Sequence, residues 1–523
     1  MRTNGVVAFN PYFAMLFLIS AAGMTLVWLI IRPHGIGLSP DSVGYISIAR
    51  NLISGKGAID FYNKPFVIQP PLYPGVLATL SILFSKDPLL VAPYLNAALF
   101  GLTVFLSGWL LFLYLPERIV CVYGTILTIL SVPLLGVSQM AWSELLFIVF
   151  TLLFFLFLNR YLTTKRGIML LLSALAVSAA SLTRYAGIVL IPTGLLALLF
   201  FANKNNSFQM IKTLASFTLI STFPLGLWLF RNYLFSNTWV GPRAPSQYTL
   251  SQNLLFTMET YFKWFLPNYV VERERWLLFS VSGLGILSAF FVPWKQTEGH
   301  WSMTIPKPTQ LALIFFLFFY IGLVIAASTL SALDQIGTRL LAPTYVPLVI
   351  VILGTLSSVY KNEKGWKTVS SIVLGLAAVI MLGKPLKATI DVFNNSKKDG
   401  IGYNSRRWRE SSTIQFLQEH SHLVSCSPIY SNEPEALYIV ANLSASLSPV
   451  KREYNSPPNR NRTIRDLRGN WPDQNGAILV WFENSDRNYL FTREEVLSIT
   501  DSTLLFRSED GLVYKLFHVP SKH

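Results

Sequence analysis

The sequence predicts an α-helical polytopic membrane protein of about 11 transmembrane helices, with juxtamembrane helices in the first outer loop and a small C-terminal α/β extracytoplasmic domain. Three observations predict this. Of 523 residues, 52% are hydrophobic and 13% are charged, where a soluble domain carries roughly 25% charge. Apolar runs near the twenty residues that cross a bilayer recur through the first 384 positions. Beyond about residue 390 the apolar runs stop and short alternating segments take over. The expected division is a transmembrane domain at 1–389, with the first outer loop at 33–71, and an extracytoplasmic domain at 390–523. The net charge of +15 lies almost wholly in the first part. Residues 1–384 hold 25 Lys/Arg and 11 Asp/Glu, and residues 385–523 hold 17 and 16. Such cations set orientation or hold anionic lipids and phosphates. No basic run with interleaved aromatics points to nucleic acid.

The first run, Tyr12 to Ile31, is too long for a signal-peptide core and has no clear cleavage site after it, so it reads as an anchor. Directly after it comes Ser39-Pro40-Asp41-Ser42-Val43-Gly44-Tyr45, the start of a short helix. Tyr45, Ile48, Ala49 and Leu52 share one face, Ser47, Arg50, Asn51 and Ser54 the other, and Gly55 ends it. That pattern describes a helix lying on a membrane surface, one side apolar and one side wet. Asp41 stands where the N-cap of that helix would be. A Pro-rich turn follows, Gln69-Pro70-Pro71-Leu72-Tyr73-Pro74. Leu72–Ser85 gives about 21 Å of helix, short of the roughly 30 Å hydrocarbon core, and is expected to be tilted or half-buried on the Asp41 side; a full span there would invert everything after it. Spans are expected near 12–32, 90–114, 119–138, 141–159, 167–184, 186–202, 209–231, 276–294, 309–330, 341–360 and 367–384.

Charge fixes the orientation. With the N-terminus cytoplasmic, the inner segments collect Arg118, Arg160, Lys165, Arg166, Lys204 and Lys212 among others, while the short outer turns hold only Arg184 and Arg339. This is the positive-inside bias. It places the Asp41 loop, the 233–275 loop, the Asp334–Arg339 turn and the tail outside. In the tail, a helical stretch runs from Arg406 to about Glu419. Ser427–Tyr430, Ala477–Phe482, Thr503–Arg507 and Leu512–Phe517 read as strands, and a helix is capped by Thr492. Cys121 and Cys426 are expected to be unpaired thiols, one in an apolar run and one in the tail.

Acids beside a membrane are costly and are functional candidates. Asp41, Glu144, Asp334 and Asp60 sit there. Asp41 has a competing role as a cap, and Glu144 as a first-turn partner of a helix dipole. Arg184, Arg231 and Arg339 lie on the side that the charge bias disfavours. Arginine's planar fork fits phosphate oxygens; snorkelling, or pairing with Asp334, is the alternative. The sequence holds no Gly-x-x-x-x-Gly-Lys-Ser/Thr, no Gly-x-Gly-x-x-Gly and no His-Glu-x-x-His. An ATP-driven pump, a cytosolic nucleotide-sugar enzyme and a zinc protease are therefore poorly supported. An activated donor would have to arrive through the membrane.

The order of the motifs resembles the GT-C glycosyltransferase superfamily, the group that includes protein O-mannosyltransferases and aminoarabinose transferases. The motifs are the Asp41–Tyr45 loop with Ala49-Arg50-Asn51-Leu52, Pro70–Pro74, Trp142-Ser143-Glu144, Leu182-Thr183-Arg184 and Arg339-Leu340-Leu341-Ala342-Pro343. In the tail, Ile429-Tyr430-Ser431-Asn432-Glu433-Pro434 resembles the outer domain of bacterial members. Two departures stand out. The acid pair often found in the first loop is Asp41-Ser42 here, and Gln69 adjoins the double proline where a lysine is found in aminoarabinose transferases. Lys64-Pro65 lies a few residues earlier.

The resemblance implies a membrane hexosyl- or pentosyltransferase. It would move a sugar from a polyprenyl-phosphate donor to a hydroxyl of a lipid, glycan or protein, on the extracytoplasmic face and with inversion. It implies Asp41 and Glu144 as catalytic residues, with Asp41 the general base. Lys64, Arg184 and Arg339 would hold the donor phosphate, and Tyr45, Gln69, Tyr73 and Asp334 would bind substrate. No metal ligands are assigned, and a divalent cation is left open as a cofactor. The location would be a cell membrane, bacterial inner membrane by the resemblance. Two other classes remain open: a transporter or flippase for lipid-linked saccharides, with spans broken at Pro192 and Pro224, and a non-catalytic membrane scaffold.

Overall fold

The computed structural model describes residues 11–201, 207–277, 280, 294–297, 300–303, 308–362, 367–424, 427–472 and 474–519. The chain begins with α1 (Pro11–Ile31), α2 (Pro40–Ile53), α3 (Leu72–Phe84), α4 (Pro88–Tyr114), α5 (Arg118–Ile129) and α6 (Val132–Ser138). It continues through α7 (Glu144–Thr164), α8 (Gly167–Thr183), α9 (Leu190–Phe200), α10 (Ser207–Ser236) and α11 (Leu250–Phe265). Later helices cover Pro308–Leu330, Thr338–Leu341, Tyr345–Asn362 and Lys367–Lys398. A short antiparallel pair, β1 (Trp294–Thr297) with β2 (His300–Met303), was not expected from the sequence.

Among the described residues, six helices are long and apolar enough to cross a membrane, or seven if α5 and α6 count as one span bent by 44°. The bend has a local cause. Ser131 caps α6 through the Leu134 amide, and Pro133 follows without an N–H to continue the helix above it. The expected spans at 167–184 and 186–202 form shorter apolar helices, with a 3₁₀ turn at Tyr185–Val189 between them. The span expected at 276–294 lies mostly outside the described residues. The one at 367–384 is part of a longer helix that runs on to Lys398. This is a polytopic, mainly helical membrane protein, with a lower described span count than the eleven expected.

Two details of the first loop differ from expectation. The cap of α2 is Ser39, whose Oγ accepts the Ser42 amide at 3.4 Å; Pro40 is N1 and Asp41 sits one residue further in. Asp41 is therefore free of the capping role. Nor does α2 lie on a surface with a wet face. Ser42, Val43, Ile46 and Ser47 are buried together with Tyr45, Ile48 and Ala49. α3 and α4 pack against it, and Arg50 makes a two-nitrogen salt bridge to Asp87, the cap of α4. Within the helix only its two ends, Pro40 and Ile53, are exposed.

The segment 36–38 is a short strand-like link between distant parts of the chain. Gly37 donates to Gln139 O at 2.7 Å and accepts from the Ala141 amide at 3.0 Å, while Leu38 accepts from the Tyr403 amide at 2.9 Å. A side chain at Gly37 would meet Gln139 O at 2.9 Å, so glycine is what lets the two backbones approach. Gly402, at φ +60°, is pressed against Leu38 in the same way.

The C-terminal part carries a five-stranded sheet. In chain order its strands are β3 (Ile429–Ser431), β4 (Ser446–Leu447), β5 (Ala477–Phe482), β6 (Asp501–Arg507) and β7 (Gly511–Phe517), arranged β4-β3-β5-β7-β6. β3 runs parallel to β4 and β5; β7 is antiparallel to β5 and β6. The helix of Arg493–Leu497 starts at Thr492 with a complete capping box to Glu495. The stretch expected as one helix from Arg406 is two, Arg406–Arg409 and Ser412–Glu419, separated where Ser411 becomes a cap. Cys121 is a buried free thiol; Cys426 lies outside the described residues.

Candidate active site

Three stretches far apart in sequence meet at one end of the helical bundle. The bridge at 36–38 sets the start of α2 beside the 139–141 backbone, and the Trp142 indole N–H donates to Ser39 Oγ at 2.7 Å. The third stretch is the turn Thr338–Leu341, where Tyr320 O–H donates to Leu340 O at 3.0 Å. Arg339 projects from this turn. Its guanidinium lies 4.0 Å from the Trp142 ring centroid, a cation–π contact that fixes its plane.

That guanidinium joins the two expected catalytic acids. Nε donates to Glu144 Oε1 at 2.6 Å and Nη2 to Asp41 Oδ2 at 2.6 Å. Nη1 is 3.9 Å from Asp334 Oδ2. Arg184 approaches from behind, with Nη1 2.7 Å from Glu144 Oε1 and donating to Ser143 Oγ at 3.2 Å. The Tyr45 hydroxyl shares a 3.1 Å bond with Ser143 Oγ, and the Tyr73 ring packs edge-on against Tyr45 at 5.0 Å. Burial, and then the charge of Asp41, push the Tyr45 phenol well above its ordinary value, so it remains protonated.

Exposure separates the acids. The Glu144 side chain is 0% exposed, between two arginines, as a buried carboxylate must be paired. The Asp41 side chain is 36% exposed and Asp334 53%. Asp41 is thus the carboxylate that combines a short arginine contact with access to solvent, while Glu144 pairs with both arginines.

Seven of the nine expected site residues therefore lie in one contiguous group: Asp41, Glu144, Arg184, Arg339, Asp334, Tyr45 and Tyr73. Lys64 and Gln69 are on the neighbouring loop. Lys64 is exposed, its ammonium lies 6.0 Å from the Tyr62 ring centroid, and its amide donates to Asp60 at 2.9 Å. None of these bonds reaches the arginine cluster. Asp60 is likewise absorbed in the loop, accepting the Tyr62 and Lys64 amides.

The loop itself is held by Arg231, already marked in the sequence as a cation on the disfavoured side, and by Tyr185 and Arg243, which sequence reasoning passed over. Arg231 donates to Phe66 O at 2.6 Å and Ala58 O at 3.1 Å, Tyr185 to Val67 O at 2.9 Å, and Arg243 to Ile68 O at 3.1 Å. Burial lowers the Arg243 pKa from its ordinary value. A signal for it was present: it is a cation in a loop that the charge bias puts on the disfavoured side. Among the described residues, no group of three His, Cys, Asp or Glu is placed to hold a metal ion.

No protein-family model and no curated protein matches the chain. Solved structures do. ArnT from Cupriavidus metallidurans bound to undecaprenyl phosphate superposes with a TM-score of 0.58 at 13% identity, over 96% of this chain and 98% of that one. The same protein in its apo state gives 0.54 at 12% identity, over 97% and 98%. At such identity the likeness is one of fold, and it extends from the first span through the C-terminal sheet: this chain has the fold of the GT-C membrane glycosyltransferases.

Proposed function

We propose that the protein is a GT-C glycosyltransferase that moves a sugar from a polyprenyl-phosphate donor to an acceptor hydroxyl on the extracytoplasmic face of a cell membrane. The observation that carries this reading is the single guanidinium of Arg339 bound to both Asp41 and Glu144, with Asp41 still open to solvent. In this reading the acceptor oxygen attacks the anomeric carbon while the bond from that carbon to the phosphate oxygen breaks. The proton passes to Asp41, the configuration inverts, and the phosphate leaves as an anion. Arg339, through its Nη1, is the cation best placed to receive that charge, with Arg243 and Lys64 bonded to or on the neighbouring loop. Glu144 and Arg184 act one layer back: they fix the plane of Arg339 and so the direction of Asp41. The division into a transmembrane part at 1–389 and an outer domain at 390–523 belongs to the same proposal and is supported by the Lys/Arg bias.

Asp41→Asn tests it. Purified protein in detergent with a polyprenyl-phosphate sugar should transfer sugar, and the variant should lose roughly 10²–10⁴-fold in turnover, the usual worth of a positioned base. Near-native turnover in the variant removes Asp41 as the base. Absence of any transfer by the native protein favours the transporter or scaffold readings. A C-terminal reporter active only in the cytoplasm would overturn the outer placement of the site.

A further inference from the structure

We propose that Tyr454, in the C-terminal part, is a positioning residue for donor binding: it holds Asp334 away from Arg339 so that one nitrogen of that guanidinium stays open to phosphate. This rests on the function proposed above and adds a residue that no motif pointed to.

Nε and Nη2 of Arg339 are spent on Glu144 and Asp41. Nη1 has Asp334 Oδ2 at 3.9 Å, about 1 Å beyond a charge-assisted hydrogen bond. Asp334 is more than half exposed and carries the opposite charge. Left to itself it would close that gap and occupy Nη1. What restrains it is a strap from the C-terminal part. Tyr454 O–H donates to Asp334 Oδ1 at 2.8 Å, and Asn455 Nδ2 donates to Leu333 O at 3.1 Å. The Gln247 amide in turn donates to Asn455 O at 3.2 Å. The strap has a fixed base: Lys451 pairs with Glu495 at 2.8 Å, the Lys451 and Arg452 amides both donate to Tyr489 O, and the Tyr454 ring packs edge-on against Tyr489 at 5.3 Å. Burial, and then the nearby Asp334 charge, push the Tyr454 phenol up to about 12, so it is a donor at neutral pH. A charged carboxylate held by one neutral donor on a stapled strap keeps its distance from the arginine; without that donor, its better partner is Nη1.

The test uses the full chain in detergent with undecaprenyl phosphate as probe, binding being read by native mass spectrometry and donor KM by sugar transfer. Tyr454→Phe removes the hydroxyl and keeps the ring on Tyr489, so the strap stays packed. It should weaken undecaprenyl phosphate binding and raise donor KM by roughly tenfold, the low end for one bond to a charged group, with a smaller change in kcat. Asp334→Asn removes the charge that makes residue 334 a strong competitor for Nη1. The double variant Tyr454→Phe/Asp334→Asn should therefore bind the probe as Asp334→Asn does alone. Two results would overturn the inference while leaving the proposed function standing: native binding in Tyr454→Phe, or a double variant as weak as Tyr454→Phe. If the native chain itself does not bind undecaprenyl phosphate, the proposed function fails and this inference with it.

Discussion

Arg339 and Arg487 each hold two carboxylates, yet their surroundings differ. Arg487 lies in the C-terminal part, with Nη2 2.9 Å from Glu433 Oε2 and 2.6 Å from Glu435 Oε2. Glu433 is further bonded by Tyr403 O–H and Ser485 O–H, each at 2.8 Å. The side chains of all three charged residues are 9–12% exposed. There Arg487 Nη2 and both carboxylates are engaged by protein partners and shielded from solvent. At Arg339, one partner is a third exposed and one nitrogen has only a long contact. A cluster closed off from solvent in this way holds structure together; an open one made of the same groups has bonding capacity left for something else.

The comparison can be broken in four ways, from the largest expected effect to the smallest. At the open cluster, Asp41→Asn and Asp41→Ala should both lose roughly 10²–10⁴-fold in turnover. Their melting points should nearly coincide, because Ser39 and not Asp41 caps α2. A melting point well below native in Asp41→Ala alone would mean that the carboxylate matters to the fold as well. At the closed cluster, Arg487→Ala strands two buried carboxylates and should cost about 3–5 kcal/mol of stability, read from denaturant or thermal unfolding. An unchanged midpoint would mean that the cluster hydrates on losing its arginine.

Third, Arg339→Ala should weaken donor use by about 1.5–3 kcal/mol, the worth of one charge-assisted bond, measured as donor kcat/KM. Lys64→Ala should weaken it less, since Lys64 stands outside the cluster; equal losses would put both cations on the phosphate. The last is a pH effect on the strap. Burial acts to raise the Glu495 carboxyl, but hydrogen bonds from Lys451 and the Thr492 amide outweigh it and hold the group below its ordinary value. A depressed carboxyl contributes fully above its unfolded value, about 4.3, and its contribution disappears as pH falls through the lower folded value. Glu495→Gln keeps the capping geometry and removes the charge. Its melting point should trail the native protein at pH 7 and converge with it in acid; a gap constant over that range would remove the ion pair as its cause.

Much of the site was legible because its residues break rules of cost. Asp41, Glu144, Arg184 and Arg339 are charges at membrane ends, and that alone drew attention to them. The capping box at Thr492 and Glu495 and the strand at Ala477–Phe482 were likewise readable, since both are local patterns. What could not be read was set by contacts between distant positions. Ser39 and Asp41 are both good caps on paper, and only the hydrogen bond from Trp142, a hundred residues on, explains why Ser39 is fixed in that place. Ser47 reads as a wet residue on an amphipathic helix but is buried, because α2 is covered by protein rather than by membrane surface. The two-residue strand β4 has no periodicity to detect. Tyr454 gives no signal at all in sequence, since its meaning lies in the acid it reaches across the chain.

The bridge at residues 36–38 has a consequence for biosynthesis. Leu38, three residues before Asp41, is held by the amide of Tyr403, and Tyr403 is itself fixed by Glu433 and Arg487. The ribosome must therefore make more than nine-tenths of the chain before every support of Asp41 exists. A nascent chain with Asp41 and Glu144 both present already has the 36–38 link to 139–141, but it lacks Arg339 and the Tyr403 backbone that holds Leu38 from the other side. The cluster around Asp41 is therefore completed late, with the contacts of Glu433 and Arg487 on Tyr403.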